Sequence, residues 1–321
     1  MRLSVTDLCN LRCRYCMPEE GVEKLTHPEM LTEDEMVSAV RAAAGLGITK
    51  IRITGGEPLV KKNILSICRR IGQIEGIEEM AITTNGTLLP QMAAALREAG
   101  ISRVNISLDT LDPEKYARMT RRGDFKQAWA GVMAALDAGF DKVKLNAVLI
   151  GGFNDDEIED MVRLTLDYPL DMRFIELMPM LDNDEFGQSA HISGDEVLRR
   201  VPQLVPVQTS KTCLTDADNE ERLYSGQVAR MYQLPGAKGH VGLINPLSHS
   251  FCSECNRIRL TADGKLKPCL HSSQEISLKG LDEDGMREKI REAIEAKPRQ
   301  HDVLDAEHRS EAGRQMNQIG E

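Results

Sequence analysis

The sequence lacks several features that would assign it to common classes. No run of about 18 apolar residues is present, so a membrane-spanning helix is not expected. No secretory leader precedes the apolar run at Leu3, and eight cysteines without one predict reduced thiols in a cytoplasm. A GxxxxGK(S/T) loop is missing, which disfavours a P-loop nucleotide switch. The net charge of −10 disfavours nonspecific binding to nucleic acid.

Strand-like and helical segments alternate through the first two thirds of the chain. Thr32–Glu35 forms a capping box that opens the first helix. Six βα units in a row predict an α/β fold, a partial (β/α)6 TIM-like barrel over residues 1–205. The expected strands are Arg2–Thr6, Lys50–Thr54, Met80–Thr84, Arg103–Leu108, Lys142–Leu149 and Met172–Leu177.

The pattern changes after residue 205. Residues 208–222 are polar and predict a loop, and short β-like runs then precede a last helix near residues 283–297. We expect residues 206–321 to form a smaller α+β region that caps the mouth of the barrel. Sites in such folds lie at the C-terminal ends of the strands, so the loops that follow different strands should converge there.

Three cysteines follow the first strand with the spacing C-x3-C-x2-C, namely Cys9, Cys13 and Cys16, which we call the first triad. A 4Fe–4S cluster is normally held by four thiolates, so three leave one iron open to a ligand that is not protein. The alternative is zinc, which prefers four closed ligands, often as two C-x2-C pairs. The spacing therefore favours an iron–sulfur cluster.

The segment Gly55-Gly56-Glu57-Pro58 follows the second strand. Two glycines allow the backbone to approach a ligand closely, and a carboxylate beside them can accept hydrogen bonds from an ammonium group. Taken alone the segment is equally compatible with a tight turn. Its place at a strand end, like that of the first triad, favours a binding role.

A second set of three cysteines, the second triad, consists of Cys252, Cys255 and Cys269. A cluster that only transfers electrons would be expected to have full ligation, so a missing fourth ligand suggests that the open iron binds substrate. A zinc site completed by His249 or His271 is the alternative.

Basic residues interrupt apolar strands and predict an anion inside the barrel. Those on the strands are Arg2, Lys50, Arg52, Lys144 and Arg173, and Arg257 and Arg259 follow the second cysteine pair. Buried cations need an anion or a carboxylate partner, and arginine forks suit phosphate oxygens. Structural ion pairs, with Glu176 as the obvious partner, are the alternative. The number of cations favours a polyphosphate ligand.

Together these segments resemble the radical S-adenosylmethionine (SAM) enzymes and, within them, the GTP 3′,8-cyclases that start molybdenum-cofactor biosynthesis. The stretches that carry the resemblance are RLSVTDLCNLRCRYCMP, TKIRITGGEPL, TTNGTLL, VNISLDTLDP, KLNAVLIGGFND, RFIELMPM, FCSECNRIRLTADGKLKPCL and RQMNQIG. The resemblance implies that a 5′-deoxyadenosyl radical made from SAM abstracts hydrogen from C3′ of GTP. The C3′ radical then attacks guanine C8 to give 3′,8-cyclo-7,8-dihydro-GTP.

The resemblance also implies roles for individual residues. A 4Fe–4S cluster on the first triad binds SAM, and a second one on the second triad holds guanine. The implied SAM contacts are Tyr15, Gly55, Gly56, Glu57, Ser107 and Met178. The implied GTP contacts are Arg2, Arg52, Thr83, Lys144, Arg257 and Arg259, and we expect Lys50 and Arg173 to be additional phosphate ligands. The implied partners are an external one-electron reductant and a downstream cyclic pyranopterin monophosphate synthase, and a homodimer is compatible with the resemblance.

The two ends of the chain depart from the family pattern. The family ends in Gly-Gly, a tail that enters the active site, whereas this chain ends Ile319-Gly320-Glu321. We expect Gly320 to take part in catalysis and the glutamate to alter the function of the tail. The chain also begins at the first strand, without the short leader expected of the family.

Two other functions remain open from the sequence. A peptide-modifying radical SAM maturase with an auxiliary cluster would explain both triads, but it has no need for cations on the barrel strands. A non-enzymatic iron–sulfur electron carrier would need neither the Gly55–Pro58 segment nor a polyphosphate pocket.

Overall fold

The structure is a computed structural model of the 321-residue chain. It describes all residues except 24, 27, 181–185, 187–189, 208–211, 216–220, 225–227, 301–303, 305–309 and 321, and for 212–215 and 221–224 it describes the backbone only. Glu321, which we expect to alter the function of the tail, therefore lies outside the described residues.

Strands and helices alternate over the first part of the chain, as the sequence predicts. The strands are β1 (Arg2–Ser4), β2 (Lys50–Thr54), β3 (Glu79–Thr84), β4 (Arg103–Ser107), β5 (Lys142–Leu149), β6 (Leu170–Glu176), β7 (Val205–Pro206), β8 (Thr212–Thr215), β9 (Glu221–Tyr224), β10 (Arg230–Gln233), β11 (Val241–Ile244), β12 (Arg259–Leu260), β13 (Lys265–Lys267) and β14 (Ile276–Ser277). The helices are α1 (Glu33–Ala44), α2 (Ile64–Gly72), α3 (Leu89–Glu98), α4 (Pro113–Thr120), α5 (Phe125–Asp137), α6 (Ile158–Asp167), α7 (Asp195–Arg200), α8 (Glu283–Glu295) and α9 (Met316–Ile319).

One twelve-stranded sheet organises the described residues, in the order β14-β13-β12-β1-β2-β3-β4-β5-β6-β11-β10-β7. Strands β1 to β6 are parallel and lie side by side. In the described part of the chain the sheet has β14 and β7 at its edges, so the barrel is open. The predicted partial α/β barrel is thus confirmed.

The region after residue 205 extends this sheet at both edges. Strand β11 pairs in parallel with β6, and β12 pairs in parallel with β1. The sequence suggested a separate smaller region, and the structure shows that its short strands continue the barrel. As a result, the second triad lies at the start of β1, because Cys255 precedes β12 and Cys269 follows β13, whereas the loop that carries the first triad follows the end of β1.

The side chains of the barrel strands alternate between two environments. In β2, Ile51 and Ile53 are buried in the apolar core beneath the helices, whereas Lys50, Arg52 and Thr54 face the interior cavity. This alternation follows from the two-residue period of a strand. Apolar residues on one face hold the helices, and polar residues on the other are free to bind a ligand.

Two local predictions were incomplete. Residues 208–222, predicted to be a loop, contain strand β8, which pairs with β9 in an antiparallel hairpin. Helix α4 was not predicted, and it begins where the Asp112 carboxylate accepts hydrogen bonds from the N–H groups of Glu114 and Lys115. Among the described helices, none has both the length and the apolar character needed to cross a membrane.

Candidate functional site

A cavity of about 1520 Å³ runs through the barrel from the C-terminal strand ends. All the predicted site residues except Gly320 line it. They are the six triad cysteines Cys9, Cys13, Cys16, Cys252, Cys255 and Cys269, together with Arg2, Tyr15, Lys50, Arg52, Gly55, Gly56, Glu57, Thr83, Ser107, Lys144, Arg173, Met178, Arg257 and Arg259. Residues from widely separated parts of the sequence therefore converge on one space.

The loop that carries the first triad is folded against the C-terminal end of α4. The N–H groups of Arg12 and Arg14 donate to the carbonyls of Thr120 and Met119, each at 3.0 Å. A turn between Cys13 and Cys16, with a 2.9 Å hydrogen bond, brings the last two cysteines together. Helix α4, which sequence reasoning missed, therefore positions the cysteines.

The thiols of the first triad fit an iron–sulfur cluster. All three are half-buried and free of disulfides. Burial raises the pKa of Cys9 to about 11 and that of Cys16 to about 12, so a thiolate here is costly without a cationic partner.

Tyr15 is fixed by the carboxylate of Asp109. Its hydroxyl donates to Asp109 Oδ2 at 2.9 Å, and Asp109 Oδ1 accepts the N–H of Val148 at 2.9 Å. Burial raises the pKa of Asp109 to about 6. Asp109 thus ties the aromatic residue of the cysteine loop to strand β5.

The two glycines after β2 allow two backbone segments to pack together. A Cβ on Gly56 would lie 2.5 Å from the carbonyl oxygen of Leu8, and a Cβ on Gly55 would lie 2.7 Å from that of Thr6. The N–H of Gly56 also donates to the carbonyl of Thr6 at 2.8 Å. The sequence suggested close approach to a ligand, but here the close approach is to the chain that leads into the first triad.

The carboxylate of Glu57 is occupied by protein donors. It is buried and accepts hydrogen bonds from the hydroxyl of Thr84 at 2.7 Å and from the N–H groups of Asn85 and Leu59 at 2.7 and 3.0 Å. Burial raises its pKa to about 7. Its side chain therefore positions the loop after β3.

A lysine that no sequence pattern singled out contacts one cysteine of the second triad. Lys297 Nζ lies 3.8 Å from Cys255 Sγ and donates to the carbonyls of Arg257 and Pro268 at 2.9 and 2.8 Å. Burial raises the pKa of Cys255, but Lys297 and the neighbouring arginines outweigh burial, so that the pKa is lowered. Lys297 thus joins the two segments that supply this triad.

The two histidines considered as zinc ligands have other partners. His249 Nε2 is 3.1 Å from Asp195 Oδ2, and His271 Nδ1 is 3.0 Å from the hydroxyl of Ser310.

Arginines stand side by side where β12, β1 and β2 meet. Arg2 pairs in register with Arg259 on one side and with Arg52 on the other. Adjacent strands are about 4.8 Å apart, so three guanidinium groups share one short row on the sheet. Burial, followed by the neighbouring arginines, lowers the pKa of Arg52 to about 9 and holds that of Arg2 well below its usual range.

A second row of polar residues crosses β3 to β6. Thr83, Asn105, Lys144 and Asp171 are register partners on successive strands. Burial, then Arg173 and Arg103, lower the pKa of Lys144 to about 6. Burial likewise lowers the pKa of Arg173 to about 10.

The carboxylates in the cavity do not match its cations. Among the described lining residues, ten are Lys or Arg and six are Asp or Glu. Glu79 pairs with Arg103 at 2.8 Å, and Asp171 lies 3.8 Å from Lys144. Glu176, the predicted partner, instead accepts hydrogen bonds from the N–H groups of Leu247 and Ser248. The cavity is therefore electropositive inside an acidic protein.

Asp171 could have been found from the sequence. It lies two residues before Arg173 in β6, so strand alternation places both side chains on the same face. Lys297 and Asp109 carried no such signal, because the one follows a surface helix and the other resembles a cap residue.

Gly320 lies beside the cavity, at the ends of β1 and β2. It has φ +83°, and a Cβ there would lie 2.6 Å from Cβ of Ser4 and 2.9 Å from Oγ1 of Thr54. Ser4 and Thr54 are register partners, two residues beyond the pair Arg2 and Arg52. The structure thus brings Gly320 to the site.

Two family models match the chain. The model described as Radical SAM superfamily matches residues 3–165, and the model described as Molybdenum Cofactor Synthesis C matches residues 170–303.

Several proteins named GTP 3′,8-cyclase are similar over the full length. The protein from Alkaliphilus oremlandii is 51% identical over all of this chain and 96% of its own length. Those from Alkaliphilus metalliredigens and Moorella thermoacetica are 47% and 45% identical, with the same coverage of both chains.

Solved structures share the fold at low identity. Streptococcus suis SuiB bound to its precursor peptide SuiA superposes with a TM-score of 0.62 at 13% identity, over 89% of this chain and 64% of SuiB. SuiB bound to S-adenosylmethionine gives 0.53 at 16% identity, over 63% of this chain and 46% of SuiB.

Substitution of Glu57 tests its positioning role. At pH 8 the carboxylate is ionised and accepts three hydrogen bonds, whereas the amide of Glu57→Gln offers one acceptor oxygen. We expect the free energy of unfolding to fall by about 1–3 kcal/mol, since buried donors lose their partners. Urea denaturation of the apo protein measures the free energy of unfolding. The control is Glu78→Gln, because Glu78 is exposed and immediately precedes β3. Equal losses in the two variants would contradict the assignment.

Proposed function

Because the chain belongs to the radical SAM superfamily and, within it, to the GTP 3′,8-cyclases, we propose that it converts GTP to 3′,8-cyclo-7,8-dihydro-GTP, the first step of molybdenum-cofactor biosynthesis. The match of its second part to the Molybdenum Cofactor Synthesis C model supports the pathway. The observation that carries the proposal is the electropositive cavity between the two cysteine triads.

The first triad has the composition needed for a 4Fe–4S cluster with one open iron. Cys9, Cys13 and Cys16 would hold three irons, and SAM would occupy the fourth. Such a cluster with SAM supplies a 5′-deoxyadenosyl radical. Tyr15, Ser107 and Met178, with the main chain of residues 55–57, lie on the same cavity wall and would orient SAM there.

The cation rows are suited to the triphosphate of GTP. Arg2, Arg52 and Arg259 are fixed in one row by the strand register, and Lys144 and Arg173 lie across the cavity on β5 and β6. Buried guanidinium groups bind phosphate oxygens strongly because the local dielectric is low and arginine forks are bidentate. Thr83, Lys50 and Arg257 also line the cavity and complete the proposed set.

The second triad is the proposed guanine site. Cys252, Cys255 and Cys269 would hold a second 4Fe–4S cluster with one open iron that the guanine occupies. Arg257 and Arg259 lie in the same segment, so base and phosphates would be held by neighbouring residues. This arrangement fixes the nucleotide in one orientation, which hydrogen abstraction from a single carbon requires.

The proposed reaction balances as an isomerisation of GTP. The C3′–H bond breaks, and its hydrogen passes to 5′-deoxyadenosine as a C3′–C8 bond forms. One electron is consumed when SAM is cleaved, and a second, with a proton, reduces the cyclised nucleotide radical. Both electrons come from an external one-electron donor.

The remaining partner assignments are also proposals. A cyclic pyranopterin monophosphate synthase would consume the product, and the cytoplasm, where thiols stay reduced, is the proposed compartment. A homodimer is compatible with the family. A peptide-modifying maturase or an electron carrier has less support, because neither needs a buried row of arginines.

Triple cysteine-to-alanine variants of each triad separate the two proposed clusters. Reconstituted wild-type protein should bind about eight irons and each variant about four. Loss of the first triad should abolish both 5′-deoxyadenosine and cyclised GTP. Loss of the second should preserve 5′-deoxyadenosine and lower cyclised GTP by about 100-fold, because GTP is no longer positioned.

Anaerobic turnover with dithionite, SAM and GTP, followed by mass spectrometry, gives these readouts. Cys68→Ala is the matched control, since Cys68 is buried in helix α2 and outside both triads. Wild-type protein with full iron loading that forms no 5′-deoxyadenosine would contradict the proposed reaction.

Because the pKa of Lys144 is lowered, we expect the protein to take up a proton when GTP binds. Its pKa is near 6 in the free protein, so at pH 7.5 the amine is mostly neutral, and a bound triphosphate raises that pKa. Binding should therefore take up about one proton, and affinity should fall as pH rises from 6 to 8. Calorimetry of GTP binding in Hepes and Tris at pH 7.5 measures the uptake, which should vanish in Lys144→Met. Identical heats in both buffers for the wild-type protein would refute it.

A further inference from the structure

The last part of the chain packs into the mouth of the barrel. We call residues 310–320 the tail. The N–H of Ser310 donates to the carbonyl of Pro179 at 3.0 Å, and Ala312 and Ile319 are buried in a small apolar cluster with Leu270. Helix α9 and Gly320 follow. The tail therefore has a defined place and its own packing.

One arginine joins the tail to the rest of the protein. Arg314 donates to Glu275 through Nε at 2.6 Å and Nη2 at 2.7 Å, and to Asp263 through Nη1 at 3.1 Å and Nη2 at 2.8 Å. Each carboxylate is thus engaged through both of its oxygens. The three side chains are only 15–22% exposed, so solvent screens these contacts weakly.

The two carboxylates belong to the hairpin that carries part of the second triad. Asp263 lies in the turn between β12 and β13, and Glu275 immediately precedes β14. Lys267, at the end of β13 and fully buried, donates to the carbonyl of Ala312 in the tail at 3.2 Å. Cys269 follows two residues later. The tail is therefore attached to the segment that leads into the second triad.

The other end of the tail reaches the first triad. Asn317 Nδ2 donates to the carbonyl of Asp7, two residues before Cys9, at 3.0 Å. Gly320 packs on Ser4 and Thr54, just beyond Arg2 and Arg52 on the same strands. Only five residues separate Arg314 from Gly320, so a shift at Arg314 moves both contacts.

We propose that Arg314 is a positioning residue that latches the tail onto the β12–β14 hairpin, so that the placement of the hairpin at the second triad determines whether Asn317 and Gly320 reach the first triad. The effect on turnover rests on the proposed function, but the effect on tail structure does not. The latch physically links two sites that the chemistry requires to act together.

Hydrogen–deuterium exchange of the reconstituted holoprotein tests the latch. In Arg314→Met, amides of residues 316–320 should exchange at least ~10-fold faster, because the tail loses both ion pairs. Arg314→Lys, which keeps the charge without the fork, should restore part of the protection. Arg287→Met is the matched control, since Arg287 also binds two carboxylates, Glu283 and Asp284, but on the surface of helix α8.

Turnover supplies the second readout. Arg314→Met should lower kcat for cyclised GTP by about 10–100-fold while iron content and 5′-deoxyadenosine formation stay near wild type. Core amides in β2 to β5 should keep their protection, which excludes global unfolding. Unchanged tail exchange in Arg314→Met would overturn the latch, as would faster tail exchange with wild-type kcat. Wild-type protein that makes no cyclised GTP would instead count against the proposed function. In that case the hydrogen–deuterium exchange of residues 316–320 would still test the role of Arg314.

Discussion

The excess of Lys and Arg over Asp and Glu among the described residues that line the cavity is the constraint on which the site depends. The chain as a whole is acidic, with a net charge of −10. Desolvation of these cations costs folding free energy, which the apolar outer face of the same strands must offset. A protein retains such an arrangement when a polyanion completes it.

The pairing of the backbone places the two cysteine triads on one cavity. Strand β12 adds in parallel to the β1 edge, so Cys255, which precedes β12, lies at the start of β1, whereas the loop of the first triad follows the end of β1. Gly56 allows the loop after β2 to rest directly on that loop, and α4 supports it from the other side. The register then places Arg2 between Arg52 and Arg259. The same strand pairing therefore positions both the row of arginines and the cysteines of the two triads.

Local patterns in the sequence were enough to predict the six barrel strands, both triads and the cations between them. What they did not show depends on contacts between distant segments. Strand alternation identified Arg173 and Lys144, but Glu176 was chosen as their partner because of its charge, whereas the structure uses Asp171. The glycines were recognised as a close approach, although only the fold shows what they approach. The β-like runs after residue 205 were visible, but no local pattern states that they join both edges of the barrel.

We propose that SAM and GTP meet in one cavity between the two triads, and an isotope experiment tests this proposal. The protein is reconstituted with iron and sulfide, reduced, and supplied with SAM and GTP that carries deuterium at C3′. We expect mass spectrometry to find one deuterium in 5′-deoxyadenosine and none at C3′ of the cyclised nucleotide. If 5′-deoxyadenosine forms without deuterium while GTP is bound, the radical and C3′ of GTP do not share a site, and the proposed reaction is wrong.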